Sequence, residues 1–488
     1  MPTVLKYFAV LLMACGATPF TLSQKTTSAE TQQHIKDVEA GLLPGVVIKG
    51  DPHPGHSLSE RMTALHVNGV SIAVVHHGVI EWAQGFGVMS AGGSPVSADT
   101  LFQAGSISKP VAAMAALHQV QLGKLSLDAD VNSELTSWKL PDAAVAGGKF
   151  VTLRELLTHT GGTTVHGFPG YATDAPVPSL VQVLNGEKPA NTPAIRIEAA
   201  PGTKWNYSGG GYTIMQQILI DETKEPFAKL LHDTVLAPIG MTHSTYEQPL
   251  PAAMHISAAT PYEADGKPVE GGAHTYPELA AAGLWTTPTD LARFCIEIQH
   301  SLKGEWNHVL SQEMTKQMLT PGMGQYGLGL AIGGSASNPY FGHGGVNEGF
   351  ESTMSAYEKD GEGAVVMTNA QGGSRLADEV MRSIAATYRW PDFQPKVRAT
   401  VAVDSKILAS YAGAYELTPK FSLVVSVEDG HLVTQATGQS SFSMLAESET
   451  KFFPTAFDAE IEFFKDAQGN VSYLTLRQNG RETKAMKK

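Results

Sequence analysis

Ser106 and Lys109 stand three residues apart at the head of the stretch Gly105 to His118. A hydroxyl and an amine at that spacing lie one above the other on a helix face. At a positively polarised helix start the pair is suited to nucleophilic catalysis, the amine activating the hydroxyl. Pro110 has no N–H to donate and fits the first turn. Val111 to Leu117 is apolar without interruption, so this helix is expected to be buried on all sides. The same spacing recurs at Ser448 and Lys451, among alternating strand-like residues with no buried helix behind it, and is read as accidental. Roughly one or two chance matches are expected in a chain of this length. Ser106 therefore needs partners elsewhere.

Two stretches offer them. Trp205 to Tyr212 sets Tyr207 just ahead of Gly209, Gly210 and Gly211. A tyrosine on a Gly-rich turn holds its hydroxyl toward a pocket. Beside a lysine cation its phenolate is favoured and its pKa falls, which suits proton transfer. The rival readings are a packed aromatic and a phosphate loop, and the latter lacks the Lys-Ser/Thr ending and the preceding strand. The second stretch, Phe341 to Val346, reads as a strand with His343 among glycines. Several glycines in a strand suit the close approach of another backbone, here expected to be substrate, with His343 at the pocket mouth. The N–H of Val346, just after Gly345, could join that of Ser106 as an oxyanion hole. A hairpin bend with a solvent-facing histidine is the rival. His53, His56, His76 and His77 have no carboxylate or cysteine set at metal spacing and read as surface residues, so neither metal nor cofactor is expected. Cys295 reads as a packing residue.

The elements that must position these groups follow from the rest of the chain. Its 488 residues are too many for one core and imply two or three domains. Apolar residues at 42% against 17% charged exclude a disordered chain. A formal net charge of −13 argues against nucleic acid and anionic membrane surfaces as partners. No apolar run approaches a membrane span. Lys6, the apolar run Tyr7 to Ala14 and the small residues through Ala17 read as an export signal over residues 1–17, hence a periplasmic or secreted protein. Leu12 to Cys15 also resembles a lipoprotein cleavage box, which would place a lipid anchor on Cys15. Residues 18–56 read as a polar tail, unstructured from Thr18 to Ala40.

Val70 to His76 and Val79 to Phe86 read as strands joined at His77-Gly78. Thr152 with Glu155 forms a capping box, and Thr287-Pro288-Thr289-Asp290 opens another helix. Residues 125 to 300 are otherwise helices and long Gly/Pro loops. Strand patterns return at Gly327 to Ile332, Phe341 to Val346, Phe350 to Tyr357 and Ala364 to Thr368, before a helix from Arg375 to Tyr388. This order implies an α/β (α+β) fold: one antiparallel sheet fed from both ends of the domain, flanked by helices, with an inserted all-helical lobe and a site in the cleft between them. Residues 391–403 read as a linker. Period-two runs at Leu423 to Val427, Leu432 to Gln435, Ile461 to Phe464 and Val471 to Arg477, with turns at Asp429-Gly430 and Asn479-Gly480, form a small β domain over 404–488.

S-x-x-K at Ser106, Y-x-G at Tyr207 and H-x-G at His343, in that order, resemble the serine β-lactamase and penicillin-binding protein superfamily. The nearest branch is that of class C β-lactamases, family VIII-type esterases and D-aminopeptidases. Leu156 to Gly162, Leu236 to Met241 and Ala282 to Thr287 are similar to that branch, and the resemblance covers residues 57–390. Residues 404–488 resemble the lipocalin-like domain often appended to such hydrolases. The resemblance implies Ser106 as nucleophile, Lys109 as its activator and Tyr207 as general base and then acid. It also implies His343 in the place of the third-motif lysine and Val346 as second oxyanion donor. Two departures follow. Gly209 replaces the usual asparagine that grips an acylamino group, and His343, mostly uncharged near pH 7, replaces a lysine that binds carboxylate. Both favour a small ester or amide as substrate over a β-lactam or a D-Ala-D-Ala peptide. The alternatives are a D-amino-acid peptidase or carboxypeptidase, a weak β-lactamase and, from another class, a catalytically silent cell-wall ligand-binding module. An intact Ser106/Lys109/Tyr207 set favours catalysis.

Overall fold

The computed structural model describes residues 28–52, 54–419, 421–439, 441–478 and 481–488. The expected export signal with Cys15, His53 and the Asn479-Gly480 turn lie outside them. Among the described residues ten strands precede the C-terminal barrel: β1 (Val46–Ile48), β2 (Gly69–His76), β3 (Val79–Gly87), β4 (Phe102–Gln103), β5 (Trp285–Thr286), β6 (Ala331–Ser335), β7 (Asn338–Asn347), β8 (Phe350–Tyr357), β9 (Gly363–Thr368) and β10 (Lys396–Arg398).

The valine- and alanine-rich β2 and β9 are buried on both faces. They accordingly take the middle of an antiparallel six-stranded sheet, ordered β3-β2-β9-β8-β7-β6. Strands from both ends of the domain thus share one sheet. On one face Ala73, Val75, Met354 and Val365 pack with the Ser108–Gln121 and Pro288–Lys303 helices. On the other Val70, Ile72, Val74 and Val366 pack with the Ala29–Ala40 and Gly373–Thr387 helices. Short helices and loops between residues 125 and 300 build the lobe beside the first face. Every residue from Val111 to Leu117 is buried, as an all-apolar helix requires. At about 1.5–3 kcal/mol for each large apolar side chain removed from water, this helix is a firm base for what its N-terminus carries.

Four expectations need correction. The polar tail is not structureless: Ser28 caps a helix, Ala29–Ala40, whose Ile35 and Val38 pack under the Gly373–Thr387 helix. Two buried apolar side chains, with Thr31 buried beside them, suffice to dock it, too few to mark an amphipathic pattern. The linker is not free either, because Lys396–Arg398 pairs in parallel with Val46–Ile48. Gly327 to Leu330 is no strand but a buried bend, its apolar residues covered without sheet pairing. The Thr152 capping box is present, yet its helix stops at Leu157 rather than near Gly161.

After the Ser405–Tyr411 helix, eight strands from Gly413 to Lys487 form a closed antiparallel barrel. Its interior is filled by Tyr411, Tyr415, Phe452 and Phe463, the first stacked on the last at 4.1 Å. Ser448 accepts the Lys451 N–H in a turn of this barrel, and the Lys451 ammonium faces Glu460 and Glu462, far from any nucleophile's task.

Candidate active site

Ser106 lies in a single 3-10 turn, Gly105–Ile107, that runs directly into the Ser108–Gln121 helix. Ser108 pins this turn: its hydroxyl donates to Gly105 O at 2.6 Å and accepts the Leu284 N–H at 3.0 Å. Lys109, one residue into the helix, is 2% exposed. Its amine reaches Ser106 Oγ at 2.8 Å and Ala281 O at 2.8 Å. Among the described residues no carboxylate stands against it, and burial pushes its pKa down to about 7. Burial thus favours the neutral amine far more than solvent exposure would.

Tyr207 completes the group. Its ring lies 5.0 Å from the Lys109 amine, and its hydroxyl shares a hydrogen bond with Ser106. The expected fall of its pKa is not found. Burial drives it up, and the hydrogen bond with Ser106 lowers it by less than desolvation raises it. The phenol stays protonated. Nor does a Gly-rich turn present it. Ser208 is the N-cap of the Gly209–Thr223 helix, its hydroxyl accepting the Gly211 N–H at 3.0 Å. The glycines are the helix's first turn, and a Cβ on Gly210 would lie 2.4 Å from Thr164 O. Gly209 has no left-handed backbone, and a side chain there would meet the Phe168 ring at 2.8 Å.

The strand β7 brings in the third stretch. The close backbone that its glycines admit is the chain's own: a Cβ on Gly345 would lie 2.0 Å from Ala104 O. A Cβ on Gly344, by contrast, would meet nothing among the described residues nearer than Ser352 O at 3.8 Å, which leaves room for a ligand along the strand. Glu348 and Gly349 form a two-residue turn between Asn347 and Phe350. Alternation from that pair turns the Val346 N–H away from β8, on the side where Gly105 lies. Gly105, at φ +50, leaves room for it, since a Cβ there would lie 2.5 Å from Val346 N. The Val346 backbone is thereby brought against the turn that carries Ser106.

His343 is half-buried beside Tyr207, ring centroids 6.1 Å apart. Burial, followed by the nearby Lys109, holds its pKa down at about 3. Its Nδ1 lies 2.5 Å from Gly344 O, which can only accept, so Nδ1 carries the proton and Nε2 presents a lone pair. That Nε2 has no partner among the described residues. An acceptor stands here, not a cation.

Two residues escaped the sequence reading. His159, 2% exposed, lies under the Tyr207 ring at 4.2 Å and accepts the Ser208 N–H at its Nδ1. Burial keeps it neutral, its pKa well below the ordinary histidine range. It fixes both the ring and the cap that follows it, and a buried histidine after the capping-box helix was the available sign. Glu278, fully buried, precedes the Leu279–Ala282 helix whose Ala281 carbonyl holds Lys109. Burial raises its carboxyl to about 7, and neither oxygen has a partner among the described residues. Nothing in its sequence surroundings marks it. Cys295 is buried and its thiol pushed far up, consistent with packing.

Comparison with known proteins bears on family and fold. The family described as Beta-lactamase matches residues 56–388, and one described as a domain of unknown function matches residues 397–487. A beta-lactamase of Pseudomonas fluorescens is 28% identical, over 49% of this chain and 62% of its own length. Esterase EstB of Burkholderia gladioli is 30% identical, over 41% of this chain and 51% of its own length. The chain thus spans between half and two thirds of these two relatives. Among solved structures, the octameric penicillin-binding protein homologue from Pyrococcus abyssi superposes with a TM-score of 0.58 at 21% identity, covering 88% of this chain and 98% of that one.

Proposed function

The chain belongs to the Beta-lactamase family, and from that premise we propose an exported serine hydrolase that cleaves a small ester, or a small amide, through an acyl-serine intermediate. One observation carries the reading: the Ser106 hydroxyl sits 2.8 Å from the amine of Lys109, which is 2% exposed and has no carboxylate against it among the described residues. Neutral Lys109 takes the Ser106 proton as Oγ attacks the carbonyl carbon. The new oxyanion lies between the N–H groups of Ser106 and Val346. Tyr207, kept protonated by burial, gives its proton to the leaving oxygen or nitrogen and is reprotonated from Lys109. Water then attacks the acyl-serine along the same path in reverse.

Specificity follows from what surrounds this group. The lone pair of His343 Nε2 accepts a hydrogen bond but offers a substrate carboxylate no charge, and the Phe168 ring fills the space that an acylamino-gripping side chain would need at Gly209. An uncharged ester fits both. Export rests on the Lys6 to Ala17 pattern, with Cys15 as the residue that would carry a lipid anchor. No helix among the described residues is long and apolar enough to cross a membrane.

The test is a hydrolysis panel of short p-nitrophenyl esters, a chromogenic cephalosporin and D-Ala p-nitroanilide, run with wild type and Ser106→Ala. Ester turnover is expected to lead by a wide margin, and the Ala variant to lose every activity with its fold intact. A cephalosporin or anilide kcat/KM equal to the best ester refutes the preference. Full turnover by Ser106→Ala refutes the nucleophile.

A further inference from the structure

A second cluster of chemically capable side chains lies at the end of β2 and β3. His76 ends β2, Val79 opens β3, and His77-Gly78 is the turn between them, with φ of +53 and +77. Both turn residues are left-handed, the backbone of a primed hairpin turn, which histidine tolerates better than most non-glycine residues. Neighbours along a strand point to opposite faces. Here the turn swings His77 back, so that its ring lies 3.8 Å from that of His76. Glu362, just before β9, faces both: its Oε1 is 2.7 Å from His76 Nδ1 and 3.9 Å from His77 Nδ1. Its Oε2 accepts the buried Trp390 indole N–H at 3.1 Å, the kind of outer hydrogen bond that orients a metal-ligating carboxylate. This carboxylate is the partner that the sequence neighbourhood of His76 and His77 lacks, and it comes from almost three hundred residues away.

We infer that His76, His77 and Glu362 bind one divalent transition-metal ion of the Zn²⁺ type. Two imidazoles and a carboxylate are a donor set that Zn²⁺ accepts with a water in the fourth position, and one less suited to Ca²⁺ or Mg²⁺. The three donor atoms already lie within 4.8 Å of one another. Bonds of about 2.0–2.2 Å set tetrahedral donors roughly 3.4 Å apart. The 2.7 Å contact must open and the 3.9 Å contact close, each by less than 1 Å, and His77 is exposed and free to turn. On binding, the ion takes the place of the proton between His76 Nδ1 and Glu362. His34, Glu81 and Tyr388 stand alongside but are engaged with one another: Glu81 takes His34 Nδ1 and the Tyr388 hydroxyl.

His76 shares its face of β2 with Val70, Ile72 and Val74, opposite the face that carries the Ser106 helix. The ion therefore staples the β2–β3 turn to the start of β9 and takes no part in turnover.

Calorimetric titration of the metal-free, tag-free full chain with ZnCl₂ tests this. One equivalent is expected to bind and to raise the melting temperature, with ester hydrolysis unchanged. Glu362→Gln and His77→Asn are each expected to weaken binding at least tenfold and to abolish the thermal shift. Asn-Gly is a favoured pair for this turn, so His77→Asn keeps the fold even if Glu362→Gln does not. Failure of the wild type to bind, or wild-type affinity in His77→Asn, overturns the site; retained binding would place the ion elsewhere.

Discussion

Lys109→Met separates a buried neutral amine from an ordinary ammonium by its effect on stability. In the unfolded chain the lysine titrates near 10.5 and in the fold near 7. At about 1.36 kcal/mol per pH unit, that gap disfavours the folded protein by on the order of 5 kcal/mol below pH 7 and about 4 kcal/mol at pH 7. Two hydrogen bonds offset it, to Ser106 Oγ and to Ala281 O. Methionine fills a similar volume, but leaves the Ala281 carbonyl without its donor, a loss of about 1–3 kcal/mol. The variant should thus be as stable as the wild type at pH 7, or about 0–2 kcal/mol more so. The sign with pH is more telling than the size. Between pH 7 and 10.5 the unfolded wild type binds more protons than the folded, so its stability rises with pH, and below pH 7 the deficit is constant. The variant lacks this slope. Its melting temperature relative to wild type is expected to be highest at pH 7 or below and to fall steadily toward pH 9.5, while kcat is lost by at least about 10²-fold. Melting curves that stay parallel between pH 7 and 9.5 would show that Lys109 keeps an ordinary pKa, and the proposed base would have to be abandoned.

Tyr207→Phe keeps the ring on His159 and loses one hydroxyl, so stability should change by about 1 kcal/mol while kcat falls about 10²–10⁴-fold at nearly constant KM; a near-normal kcat returns Tyr207 to packing. Gly209→Asn, which would restore the family's amide, meets the Phe168 ring and is expected to destabilise by about 1–3 kcal/mol without gain in cephalosporin affinity. A stable variant with tighter cephalosporin binding would refute the steric argument.

Much of this architecture was legible in the chain because its strongest patterns are also its deepest structure. The uninterrupted Val111 to Leu117 run could only be a buried helix, and β2, β8 and β9 are period-two or fully apolar runs of strand length. The signals failed where burial is partial or the partner is remote. Arg481–Lys487 exposes almost every side chain and turns Ala485 inward, so its barrel strand has no apolar alternation to read. The Ala29–Ala40 helix buries too little to stand out from a tail. The positions of Ser106, Lys109, Tyr207 and His343 could be guessed from residue type, but not their protonation. Lys109 and Tyr207 each lose more by desolvation than either gains from the other, and desolvation is a property of the packed site rather than of spacing. Glu362 shows the same limit, since its meeting with His76 depends on sheet order alone.

The parallel pairing of β1 with β10 changes how the barrel can be handled. Val46 also donates to Thr455 O, and Gly45 abuts Phe457, so the segment ahead of the hydrolase unit is clasped by the segment behind it and by the barrel itself. The barrel is bolted on at two points rather than tethered at one. Trimming the chain at either end for crystallisation or display would strip a strand from this clasp, leave its mate with an unsatisfied edge, and loosen the end left intact.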